Sequence, residues 1–175
     1  MFYTSEVFMM SSSSENIKQL AFEFREAIIS AKNDNAFDHD VSFIRFPKGC
    51  CGDASDLLGQ YLLDNDISTW YVCGDYVMEE RDEYVFPIIQ SHAWLALQDP
   101  CKEKNATIID ITGDQFHDRA EYGFYDNAVF VGEPDDFHSL FDVDSRDVHK
   151  SIELDRLGSA GARLKALYKE ITDRI

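Results

Sequence analysis

The sequence predicts one α+β domain in which helices pack on an antiparallel sheet. Three observations lead there. Apolar residues recur at helical spacing near both ends of the chain, and between them the period shifts to short alternating runs bounded by turn residues. Those runs follow one another without helices between them, which argues against repeating strand–helix–strand units. The 175 residues suffice for one full core and leave little for a second. The expected division is a loosely held N-terminal arm, residues 1–14, and a single domain over residues 15–175.

The arm ends in serines at 11–14, where Ser12 and Glu15 make a capping box. Ile17, Leu20, Ala21, Phe24 and Ile28 then predict an amphipathic helix over 15–32, closed by the polar stretch 32–40. A weakly alternating segment, 41–46, leads into the turn Pro47-Lys48-Gly49-Cys50-Cys51-Gly52-Asp53. That turn opens a second helix, whose face Ala54, Leu57, Leu58, Tyr61 and Leu62 is suited to burial against a sheet, and which stops by Asn65. Strands are expected over 69–77, with Gly74 marking a bulge, and over 84–89, 92–97, 107–111 and 128–131. The polar connection between 97 and 107 suits adjacent antiparallel strands. Residues 114–125 read as an irregular loop or short helix. Ala162, Leu164, Leu167, Tyr168 and Ile171 predict a terminal helix over 159–174.

Apolar residues make up 45% of the chain, too many for a wholly disordered protein. The formal charge of −17, from 33 acidic and 16 basic residues, repels phosphate backbones and anionic membranes. Neither nucleic acid nor membrane is therefore an expected partner, whereas a basic protein or peptide is attracted. No run approaches the roughly 18 apolar residues of a membrane span, and no basic-then-apolar leader opens the chain. Adjacent Cys50 and Cys51, with Cys73 and Cys101, make an awkward disulfide framework. A reducing cytoplasm fits, as does export without a cleaved signal.

The chemistry suggested by this pattern centres on Cys51. A cysteine at a helix N-terminus meets unpaired N–H groups and partial positive charge, which favour the thiolate and can hold an oxyanion. His92 opens one strand and Asp110 ends the next, so an antiparallel pairing brings an imidazole base and its orienting acid to one sheet edge. The motifs Gly49-Cys50-Cys51-Gly52-Asp53-Ala54, His92-Ala93-Trp94 and Ile109-Asp110-Ile111-Thr112 resemble, in that order, the nucleophile helix and the histidine and aspartate strands of papain-like and transglutaminase-like cysteine enzymes. Bacterial papain-fold toxin and deamidase domains are the nearest branch. The resemblance spans about residues 40–116 and implies a papain-like fold with a nucleophile-bearing helix on an antiparallel sheet. It also implies a thiol hydrolase or acyltransferase (peptidase, glutamine deamidase or transglutaminase) acting on protein amides with catalytic Cys51, His92 and Asp110, and needing no cofactor.

The doubled cysteine leaves Cys50 as a second candidate nucleophile. Gln90 and Gln115 could donate to an oxyanion, but neither lies upstream of the cysteine. Cys50, Cys51, His92 and Asp110 could in principle ligate zinc, yet adjacent cysteines are poorly spaced for it, so no metal is expected. His117, His138 and His149 stand scattered among acids without a ligand spacing. The alternative from another class is a non-catalytic, acidic protein-binding module on the same fold.

Overall fold

A computed structural model describes the chain over residues 4–77 and 89–175, and the side chains of 14–76, 90–158 and 161–175. Helix α1, Thr4–Asn33, begins before the expected 15–32 and carries the predicted face inward: Ile17, Ala21, Phe24, Ile28 and Ala31 are all buried. Helix α2, Cys51–Asp64, starts behind Gly49, whose φ of +75° is a conformation that side chains disfavour. Both helices end alike. Asn35 and Asp66 take left-handed φ values of 61° and 62°, and the next residues, Ala36 and Ile67, donate back to Ala31 and Leu62 at 3.0 and 2.8 Å. This is the Schellman closure, reached here without glycine.

The strands are β1 (Trp70–Val77), β2 (Ile89–Ala96), β3 (Ile108–Asp110), β4 (Phe130–Gly132) and β5 (Val148–Lys150). They form one antiparallel sheet in the order β4-β3-β2-β1-β5. The chain closes with helix α3, Gly158–Thr172. The strand expected over 84–89 falls almost wholly outside the described residues. No bulge interrupts β1 at Gly74, which pairs with His92 in an unbroken ladder. A Cβ there would come within 2.8 Å of Phe141, so this glycine serves close packing and not a bend.

Side chains alternate across the sheet and feed two cores. Leu95 and Ile109 face the three helices and join Phe24, Ile28, Leu57, Leu58 and Leu62. Val72, Trp94, Ala96 and Ile108 face the other way, where loop residues Phe116, Tyr122, Phe137 and Phe141 cover them. The α+β class holds: helices lie on one face and an aromatic loop layer on the other. His92, two residues before Trp94, falls on the aromatic side, and that placement governs the chemistry of the site. No described helix is long and apolar enough to cross a membrane.

Candidate functional site

Cys50 and Cys51 part company at the first turn of α2. Cys50 is buried, and its thiol donates to the Pro47 carbonyl at 3.4 Å. Burial first, then the neighbouring Cys51 and Asp53, push its pKa up to about 12. Cys51 is half-buried. Burial pushes its thiol up as well, but the His92 ring and the Ala93 backbone amide outweigh that and leave it below an ordinary cysteine.

His92 and Asp110 meet as β2 and β3 place them. His92 Nε2 lies 2.8 Å from Asp110 Oδ2, and the residues are 0% and 1% exposed. Asp110 Oδ1 accepts from the Thr112 backbone N–H at 2.8 Å and its hydroxyl at 3.2 Å. A second imidazole reaches the same carboxylate oxygen: His138 Nε2 is 3.3 Å from Asp110 Oδ2, and His138 Nδ1 is 2.6 Å from Asp135 Oδ1. Burial opposes charge on all of these groups. For His92, the Asp110 carboxylate overrides burial and raises the ring to about 9. For Asp110, the two imidazoles override it and hold the acid far below the usual carboxylate range. His138 is likewise raised, against its burial, by hydrogen bonds to Asp110 and Asp135. The aromatic layer closes the cluster, with the rings of Trp94, Phe116, Phe137 and Phe141 all 5.2–5.7 Å from the His92 ring.

Gln115 bridges the cluster and the turn before α2. Its Nε2 lies 3.1 Å from His92 Nδ1, and its Oε1 accepts from the Gly49 N–H at 3.3 Å. When the ring is neutral this orientation has the amide donating to Nδ1, with the ring proton on Nε2 toward Asp110; a protonated ring, which carries Nδ1–H, needs the amide turned to present Oε1. The 3-10 turn Gly113–Phe116 carrying Gln115 is pinned by Arg25 of α1, which pairs with Asp114 at 2.7 Å and donates to the Ile111 carbonyl. Gly113 is required there, since a Cβ would stand 2.9 Å from Asp110 Oδ2 and 2.6 Å from Tyr125.

This geometry corrects the enzymatic expectation. The tight group of convergent donors is His92, Asp110 and His138, and no cysteine belongs to it. Both nitrogens of His92 are engaged by other residues, Nε2 by Asp110 and Nδ1 by Gln115. The His92 ring lowers the Cys51 thiol by hydrogen bonding and charge, yet the sulfur lies outside the group of convergent donor atoms that His92, Asp110 and His138 make. The Cys-His-Asp triad of a thiol hydrolase or acyltransferase is therefore not what the cluster forms. Sequence reasoning missed His138 and Asp135. The one local signal was their three-residue spacing, which lets an Asp carboxylate accept both the backbone and the ring N–H of the histidine across a 3-10 turn.

Set against family models, curated proteins and solved structures, the chain matches none. The resemblance to papain-like and transglutaminase-like enzymes, including the toxin and deamidase branch, thus has no support, and the papain-like fold assignment falls with it. What stands is an α+β fold with a buried His-Asp-His cluster.

Proposed function

We propose that this protein is a binding module that captures a basic protein or peptide segment on the acidic surface around the start of α2 and the outer part of β1. The observation that carries the proposal is local. Asp56 is raised to about 6, first by burial and then by the charge of Asp53. Cys73 is raised to about 11, first by burial and then by Cys51, Asp75 and Asp147. Asp53, Asp56, Asp75 and Asp147 thus impose a negative potential there that the Arg163 pair with Asp53 and the nearby His149 offset only in part, within a chain of net charge −17. A lysine or arginine brought there gains Coulomb attraction and relieves the Asp53 repulsion that adds to burial in raising Asp56. A cytoplasmic setting suits the four free cysteines.

Anisotropy of a labelled Lys/Arg-rich peptide tests this. Binding is expected at low salt and should weaken as salt screens the patch. Joint replacement of Asp56, Asp75 and Asp147 by Asn should weaken it roughly tenfold, at about 0.5 kcal/mol for each charge. Equal binding by the triple variant, or by a peptide of the opposite charge, would sink the proposal.

One observation favours a second reading at the same place: the Cys51 thiol is lower than an ordinary cysteine despite its burial. We propose Cys51, His92 and Asp110 as reactive residues, with the thiol as the group open to electrophiles and His92, steadied by Asp110, drawing the thiolate out. Substoichiometric iodoacetamide with peptide mapping should label Cys51 before Cys50 and Cys73, and His92→Ala should slow that labelling. Uniform slow labelling that ignores His92 would remove this reading and leave the binding proposal intact.

A further inference from the structure

His92 Nε2, Asp110 Oδ2 and His138 Nε2 lie within 4.8 Å of one another. The remaining polar atoms of these side chains are held from behind: His92 Nδ1 by Gln115, His138 Nδ1 by Asp135, and Asp110 Oδ1 by Thr112. The three remaining ligand atoms are gathered together, with both Nε2 atoms on the same Asp110 oxygen. We propose that His92, Asp110 and His138 bind one divalent transition-metal ion of the zinc class through these atoms.

The donor set selects the ion. Two imidazoles and a carboxylate suit zinc and its first-row neighbours, whereas calcium and magnesium call for more oxygen ligands. Zinc bonds of about 2.0–2.1 Å to nitrogen and oxygen put the corners of a tetrahedron roughly 3.3 Å apart. The measured separations, 2.8 Å for His92–Asp110 and 3.3 Å for His138–Asp110, are already near that spacing. A doubly protonated imidazole would release its Nε2 proton to solvent as the metal takes the lone pair and keep Nδ1–H, whereas a neutral ring would first shift its proton from Nε2 to Nδ1.

The supporting residues fit the same chemistry. A ligating histidine ordinarily donates its other N–H to a carboxylate or amide oxygen. Asp135 is in place to accept from His138, and Gln115 needs only to turn its amide to offer Oε1 to His92. A cavity of about 430 Å³ has Val72, Trp94, Ala96, Ile108 and His138 in its wall. It provides a route to the cluster and room for a water or a ligand atom at the fourth position. This ligand set differs from the one the sequence suggested: it contains no cysteine, and its third member comes from a loop that has no local metal motif.

The test is titration of the chelator-treated full-length protein with Co²⁺, followed by Zn²⁺ competition against a chromophoric chelator. One equivalent of Co²⁺ is expected to give visible d–d bands without sulfur-to-metal charge transfer, and to be displaced by Zn²⁺. His138→Gln should abolish the bands. Asp135→Asn, which alters no ligand, should weaken Zn²⁺ binding about 10–100-fold. If His138→Gln fails to fold, the Asp135 variant and the wild-type spectrum still decide the matter. No binding, binding unchanged in Asp135→Asn, or a sulfur charge-transfer band would each overturn the proposal. Because Cys51 is not a ligand, its alkylation gives a separate answer about the thiol.

Discussion

At the scale of residues, the cluster sets a pH dependence whose sign can be worked out. His92 and His138 are raised in the fold above the free imidazole value, His92 to about 9. Their contribution to stability is therefore complete below about pH 6.5; the His92 part is lost as pH rises through about 9, and the His138 part is lost as pH rises through its own raised value. Asp110 is depressed, so its contribution is complete above about pH 4 and is lost in acid. Chemical denaturation should accordingly show a plateau between about pH 4 and 6.5 and a fall toward pH 9.5. For His92 that fall is on the order of 3 kcal/mol. It should shrink in His138→Gln, where one of the two imidazoles no longer titrates. A flat profile from pH 6 to 9.5 would mean that these rings are neutral in the fold. The sequence showed half of this cluster. His92 and Asp110 stand at positions where strand alternation and pairing bring them together, whereas His138 and Asp135 arrive from a loop whose path depends on tertiary packing of Phe137 and Phe141 over Trp94.

At the scale of elements, what was legible follows the strength of the periodic signal. The faces of α1 and α2 read directly from their apolar spacing, because each turn adds another buried residue to the same stripe. β5 was not legible: Val148–Lys150 is three residues long and forms a strand only because β1 offers an edge to pair with. Gly74 was read as a bulge because glycine inside a strand often marks one, and its actual cause, the approach of Phe141, is a contact 67 positions away that no local pattern encodes. The same limit explains the error over chemistry. Local motifs at Cys51, His92 and Asp110 resembled a triad, but which partner each ring nitrogen takes is decided by Gln115 and His138. Those side chains enter from segments that sequence reasoning left irregular.

At the scale of the whole molecule, a net charge of −17 on one domain is a self-repulsion that the fold must carry. The surface ion pairs relieve it only in part, since exposed pairs such as Lys48–Asp118 contribute little. The unfolded chain spreads the same charges further apart, so screening should favour the folded state. Raising sodium chloride from about 10 mM to about 300 mM shortens the Debye length from roughly 30 Å to under 8 Å. At neutral pH the denaturation midpoint should rise over that interval, by about 1 kcal/mol in stability. The His92–Asp110–His138 network is screened far less, because its side chains are almost wholly buried. Salt and pH should therefore act on different parts of the molecule: salt shifts the level of the stability profile, and the alkaline fall keeps its position near pH 9. If salt moved the alkaline fall and left the level unchanged, the surface field would be coupled to the cluster, and the separation between an acidic binding surface and a buried polar centre would not hold.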